Sequence, residues 1–412
     1  MNSKKSLSVL LAAIGLLVSL QSCATNKTQL VERGNAAVTK RENPAPKASP
    51  KTSEKSITEL THKKSDYWTD RAKFLAGMKV KDTRAIAQVS NNSFWHKHAT
   101  SFDKAWARLE AQQLSKVRKW AGTELKPINQ TSRPIFYPFS GPDFLYAYSF
   151  FPNASDYLLV GLEPVGKLPQ IEKLSASQTQ TKLHEVSSSL DAILGFSFFR
   201  TNAMKVDLAK QGVLPILFVF LARTNNRILD VQYIGLDQNA NIHKLDKTNQ
   251  NKDLMPGIKI SFTRQGKSQP QTLYYFSTDL SDSGLKKTPQ FTKFVKKFDR
   301  PVTYLKAASY LMHNQNFSTI RNLILAQSSS LLQDDSGIPV KYFGKQKWNL
   351  KFYGAYTKPI DLFGRRYQPE LKKIYTSTRA VKPLNFGIGY NFKLNKSNLM
   401  LAIAGSKPQS KP

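Results

Sequence analysis

The sequence predicts an α/β fold: a mixed sheet with flanking helices, forming a single body on a disordered N-terminal tether. Three observations predict it. Apolar residues recur at helical spacing in some stretches and alternate strictly in others, so the body uses both element types. No segment repeats at the 20–50-residue period of a solenoid or propeller. The stretch from residue 24 to about 65 shows neither periodicity and is rich in Lys, Ser, Thr, Asn, Ala and Pro.

Along the body, Thr100-Ser101-Phe102-Asp103 has the pattern of a capping box. Trp106, Leu109, Leu114, Val117 and Trp120 then fall on one helical face, and Gly122 is placed to end that helix. A strand is expected at 134–138, a helix at about 142–150 and a second strand at 157–163. Ser140 and Asp143 form a second capping box between them. The apolar run Val213 to Ala222 is too short to cross a bilayer. Ile258, Ile260 and Phe262, a polar turn, then Leu273 to Phe276 read as a hairpin. Ile320, Leu323, Ile324 and Leu331 make an amphipathic stripe closed by Gly337 and Pro339. Trp348, Leu350 and Phe352 alternate as a strand. Phe386, Ile388, Tyr390, Phe392 and Leu394 alternate as another.

The start of the chain has the order of a secretory signal. Lys4 and Lys5 precede an apolar stretch from Leu7 to Leu20, then Leu20-Gln21-Ser22-Cys23. This tetrapeptide resembles the lipobox of bacterial lipoproteins. The resemblance implies diacylation of the Cys23 thiol, cleavage before it and acylation of the new amine. Residue 24 is Ala rather than Asp, which by the same resemblance favours the outer membrane in a Gram-negative host. The domain reading is a signal peptide over 1–22, a lipidated tether over 23–65 and an α/β body over 66–412, long enough for two subdomains.

Cys23 is the only cysteine. Once it is acylated, disulfides, a thiol nucleophile, thiolate metal sites and iron–sulfur clusters are excluded. The formal charge of the whole chain is +33. The signal carries two of these positive charges and the tether a net five, which leaves about +26 on the body. Such an excess favours polyanionic partners. In an envelope these are acidic polysaccharide, lipopolysaccharide, anionic lipid or extracellular DNA; intracellular nucleic acid is not expected. The charge is spread along the chain, so no patch can be named from sequence.

One element has a second reading. Strand, glycine-containing turn, helix, then a strand ending in an acid is the order of a nucleotide-binding βαβ unit. Ser140, Gly141, Asp143 and Glu163 are its candidate ligand-binding residues. The glycine fingerprint is missing, because Gly141 stands alone and Pro142 lacks an N–H. The bland reading is a capped βαβ element with no ligand. Gln333-Asp334-Asp335-Ser336-Gly337-Ile338-Pro339 reads as a turn that ends a helix, or as paired carboxylates able to share a proton. Asp279 and Asp282 could join such a cluster or simply cap a loop. His96 and His98 would share a face only on a strand. No metal or cofactor is expected from these residues, and no catalytic residue is assigned.

The blocks Tyr137 to Asp143, Gly161 to Gly166, Leu305 to His313 and Gln333 to Pro339 resemble a set of bacterial exported proteins of unassigned activity. The expected function is therefore a membrane-anchored, non-enzymatic envelope lipoprotein. It would bind an anionic envelope component or a partner protein. The alternative is a degenerate Rossmann-like enzyme or small-ligand domain using residues 137–166.

Overall fold

A computed structural model of the chain describes residues 66–80, 85–196, 212–246, 253–377 and 381–405. The signal, Cys23 and the tether lie outside the described residues, which all fall in one compact unit, Thr52–Pro412. No described helix is long and apolar enough to cross a membrane.

The strands are β1 (Ile135–Tyr137), β2 (Asp156–Gly161), β3 (Asn226–Leu236), β4 (Ile242–Lys244), β5 (Met255–Arg264), β6 (Gln271–Ser277), β7 (Val302–Leu305), β8 (Ser330–Gln333), β9 (Trp348–Gly354) and β10 (Asn398–Ala404). They form one ten-stranded mixed sheet in the order β4-β3-β5-β6-β2-β1-β7-β8-β10-β9. The central five, β6 to β8, run parallel, and the outer strands at both edges pair antiparallel. The central order is that of a doubly wound sheet.

Helices cover both faces. One face carries α1 (66–75), α2 (Ala85–Ser90), α3 (Ser93–Leu109), α4 (Ser115–Glu124), α5 (Phe144–Phe150), α6 (Ala176–Phe196) and α7 (Leu214–Arg223). The other carries α8 (Asp282–Lys287), α9 (Pro289–Lys296), α10 (Ser318–Gln327) and α11 (Pro369–Ser377). Strand period sorts the core between them. Ile135, Tyr137, Tyr157 and Leu159 pack on the first layer, and Phe136, Leu158 and Val160 on the second. Both faces of the central strands are therefore buried, as parallel sheets require.

The βαβ element forms as expected: β1 and β2 are adjacent and parallel, with Ile135 opposite Tyr157, and α5 joins them. The β5–β6 hairpin also forms, with Ile260 opposite Leu273. Four expectations are corrected. Thr100 to Asp103 does not start a helix. Trp95 and Phe102 extend the buried stripe upstream, so α3 begins at Ser93 and runs straight through, and a wide turn at Glu110–Leu114 joins it to α4. α4 passes Gly122 and ends at Glu124. Leu331 lies in β8 rather than on the stripe of α10, so Gln333 to Pro339 follows a strand and not a helix.

The fourth concerns residues 386–394, which form turns and loop instead of a strand. Phe386 and Ile388 are buried, but Gly389 takes φ +66°, and a Cβ at Gly387 would sit 1.4 Å from the Phe392 carbonyl. Backbone this tight cannot stay extended. The strand of this region is instead β10, which pairs with both β8 and β9.

Candidate functional site

The chain leaves β1 towards β2 through α5 on one face of the sheet. It leaves the neighbouring strand β7 towards β8 through α10 on the other face. The two exits diverge at the carboxyl ends of β1 and β7. This is a topological switch point, the place where open α/β sheets hold ligands.

Here the crevice is filled by side chains. Asp143 caps α5, and its Oδ1 accepts from the Tyr146 backbone N–H at 3.2 Å. Its Oδ2 accepts from the Tyr137 hydroxyl at 2.9 Å and lies 2.6 Å from the Lys306 ammonium. Lys306 is the first residue after β7. Its ammonium also sits 3.8 Å from the centre of the Tyr146 ring. Asp143 and Lys306 are 2 % and 3 % exposed. Burial pushes the Asp143 carboxyl up and the Lys306 ammonium down, and their mutual attraction opposes both shifts.

Asp334 and Asp335 follow β8 into the same region, and both are buried. Asp334 accepts from the backbone N–H of Ala307 at 2.9 Å and of Ser336 at 3.0 Å. The Ser336 hydroxyl oxygen in turn accepts from the Ala308 N–H at 2.8 Å. Asp335 accepts from the Tyr310 hydroxyl and from the Asn398 amide. Burial, then repulsion from Asp335, raises Asp334 to about 7. Around these groups the backbone is strained. Phe139, Ala307, Ser309 and Tyr310 all have φ between 50° and 61°, where a Cβ is crowded. The hydroxyl of buried Tyr304, from β7, has no hydrogen-bond partner among the described residues. A void of about 10 Å³ beside Asp334, Asp335, Gln368 and Asn398 has the room of one water.

The other sequence-predicted residues lie at the edge of this cluster. Ser140 is not the cap of α5. Its Oγ accepts from the Val160 N–H at 3.0 Å and donates to the Val160 carbonyl, tying the turn to β2. Asp143 itself is the cap, which corrects the expected Ser140–Asp143 exchange. Gly141 has φ +52° and packs against β2, where its Cα would lie 2.9 Å from a Cβ on Gly161. Glu163 is close by: its Oε2 would lie 2.3 Å from that same Cβ. Tyr275 donates to the Glu163 carbonyl oxygen at 2.7 Å, and burial raises the Glu163 carboxyl. Asp282 accepts from Ser318 and Thr319 at the start of α10, and Asp279 accepts from Ser281; neither joins the Asp334 cluster. His96 and His98 lie on α3. His98 meets the Leu75 carbonyl and Ser187, while His96 is exposed. No group of three or more metal-ligating side chains is gathered among the described residues.

An open concavity lies elsewhere, at the amino ends of the parallel strands. A cleft of about 540 Å³ lies between α3, α4, the end of α5, the Arg223–Asn225 turn and the end of β5. That is the size of an ordinary small-ligand site. Arg118, Lys126, Arg223 and Arg264 line it, against one acid, Glu110. Arg223 is held by Asp103 at 2.6 Å and by the Ala76 carbonyl, and Arg118 pairs with Glu110. Lys126 and Arg264 have no carboxylate partner among the described residues. Trp106 and Tyr148 add rings, and Asn129, Asn153 and Asn225 add amides. Sequence reasoning missed this cleft. Its cations come from three separate segments, 118–126, Arg223 and Arg264, and nothing local marks them.

No protein-family model, no curated protein and no solved structure matches this chain.

Proposed function

We propose that this chain is a lipid-anchored envelope protein that binds an anionic envelope component without transforming it. The single observation that carries the binding half is the cleft with its four cations and one acid. Lys126 and Arg264 are available for a ligand's phosphates or carboxylates. Asn129, Asn153 and Asn225 offer amides to the hydroxyls of a sugar. Acidic polysaccharide or lipopolysaccharide fits both requirements. The anchor half rests on the lipobox at Cys23, and a Gram-negative host would place the protein at the outer membrane. A protein partner with an acidic surface is the remaining occupant of the same cleft.

The test is direct binding. The full chain and its Lys126→Ala/Arg264→Ala variant are titrated with purified lipopolysaccharide and with an acidic polysaccharide. The expected result is at least a tenfold loss of affinity in the variant at unchanged melting temperature. Equal affinities would remove the cleft from the function.

The second reading is a degenerate Rossmann-like enzyme or ligand-binding domain. It is supported by the parallel β1–α5–β2 unit, the switch point and Glu163 at the end of β2. Its candidate groups are occupied by each other. Asp143 is paired with Lys306 and Tyr137, and Ser140 with β2. A ligand there would have to displace a buried ion pair, at a cost of several kcal/mol. The cleft asks for no such opening.

A further inference from the structure

Two loops on the carboxyl side of the sheet carry a feature that the cleft does not use. Residues 358–366 and 393–396 expose Leu362 (51 %) and Leu394 (55 %). Large apolar side chains this exposed are few among the described residues. The two loops belong to one surface. Phe363 and Tyr390 pack at 5.2 Å, both pack on Tyr310, and Tyr390 shares a hydrogen bond with Ser309. This aromatic group lies by the exits of β7 and β8 and ties residues 358–366 to the segment that leads into 393–396.

The charge around the two leucines has one sign. The loops contain Lys358, Arg365, Arg366, Lys393 and Lys396 against one acid, Asp361, which Lys358 neutralises at 2.8 Å. Arg365, Lys393 and Lys396 are exposed and make no ion pair among the described residues. Apolar tips set among long basic side chains suit the boundary between anionic headgroups and acyl chains. There the leucines leave water while the ammonium and guanidinium groups stay at headgroup level. An acidic protein would match the charge but would leave the isolated leucines without a pocket.

We propose that this rim is a membrane-docking surface that inserts Leu362 and Leu394 into the headgroup layer of an anionic lipid bilayer. The contact is independent of the cleft ligand, because the two surfaces share no residue and lie at opposite ends of the parallel strands.

The test places an environment-sensitive fluorophore on a single thiol. The full chain with Cys23→Ser receives Leu394→Cys, or Ile242→Cys on edge strand β4 as the control; both positions are exposed. Each is mixed with phosphatidylglycerol vesicles and with phosphatidylcholine vesicles. At residue 394 the expected result is a blue shift and a severalfold rise in emission with phosphatidylglycerol only. Arg365→Gln/Lys393→Gln/Lys396→Gln should abolish it, and Lys126→Ala/Arg264→Ala should leave it intact. An unshifted probe at 394, an equal shift at 242, or a shift that survives the rim substitutions would overturn the proposal. Loss of the shift in the cleft variant would also overturn it, by assigning vesicle binding to the cleft.

Discussion

The Asp143 carboxylate and the Lys306 ammonium lie 2.6 Å apart with almost no exposure. They join the cap of α5 to the exit of β7, and so hold together the two chain segments that part company at the switch point. Removing either partner strands a buried charge, which costs about 3–5 kcal/mol. Asp143→Ala should therefore destabilise the full chain by that order in denaturant titration. Asp143→Asn should be milder, because its amide oxygen can still accept from the Tyr146 N–H. Asp143→Ala combined with Lys306→Met should recover much of the loss. An Asp143→Asn chain as stable as wild type but devoid of ligand binding would reassign the carboxylate to ligand chemistry.

The contribution of Asp334 to stability should fall as pH rises from about 4 to about 7, while His98 and His313, both lowered by burial, slope the opposite way. The folded state raises Asp334 to about 7, whereas the unfolded chain releases that proton near the ordinary value of 3.8. Between those values the folded protein binds more protons, so its advantage is full below about 4 and is lost on the way to about 7. Asp335 and Asp143 are also raised and slope the same way. Asp334→Asn should lower stability overall and remove this falling component, so that its profile diverges from that of the wild type between pH 4 and pH 7. Melting temperatures of both chains at half-unit steps from pH 4 to pH 8 would show it; parallel profiles would count against a raised Asp334.

Gly389→Ala should destabilise by at least about 2 kcal/mol, from a left-handed conformation together with a close contact. The glycine has φ +66°, and a Cβ there would lie 1.9 Å from Asp334 Oδ2. Gly122→Ala is the control. It sits inside α4 with open space around it and should be neutral or mildly stabilising. Equal melting temperatures for the two variants would contradict the packing of the 386–397 segment against Asp334.

Cys23→Ser should abolish fatty-acid labelling of the chain in cells, because Cys23 is its only thiol. Equal labelling of the two chains would remove Cys23 as the lipidation site.

Binding of acidic polymers should weaken steeply with salt, since released counterions and screening govern contacts of a chain with net charge +33. Retention on heparin from low to high salt measures this. Failure to bind even at low salt would make the charge compositional only.

Local patterns were legible in the sequence wherever one element was enough to specify them. The β1–α5–β2 unit and the β5–β6 hairpin came from periodicity and turn residues, and the structure contains both. Ser140 was expected to cap α5 in a box with Asp143; the cap is Asp143, which accepts from the Tyr146 N–H. The failures share a cause. The alternation of Phe386 to Leu394 records residue types but not the crowding at Gly387 and Gly389 that forbids an extended backbone. The capping box at Thr100 was overridden by Trp95 and Phe102, whose burial continues the helix upstream.

The sequence by itself determined the α/β class, the β1–α5–β2 unit and the large positive charge. These depend on spacing and composition, which a chain carries before it folds. The pairing of Asp143 with Lys306, their crowding with Asp334, and the gathering of Arg118, Lys126, Arg223 and Arg264 around one cleft were decided only by the tertiary structure. Each joins residues far apart in the chain, through a strand order that no local pattern encodes. Their charges become specific only when the fold fixes their distances and removes the water between them.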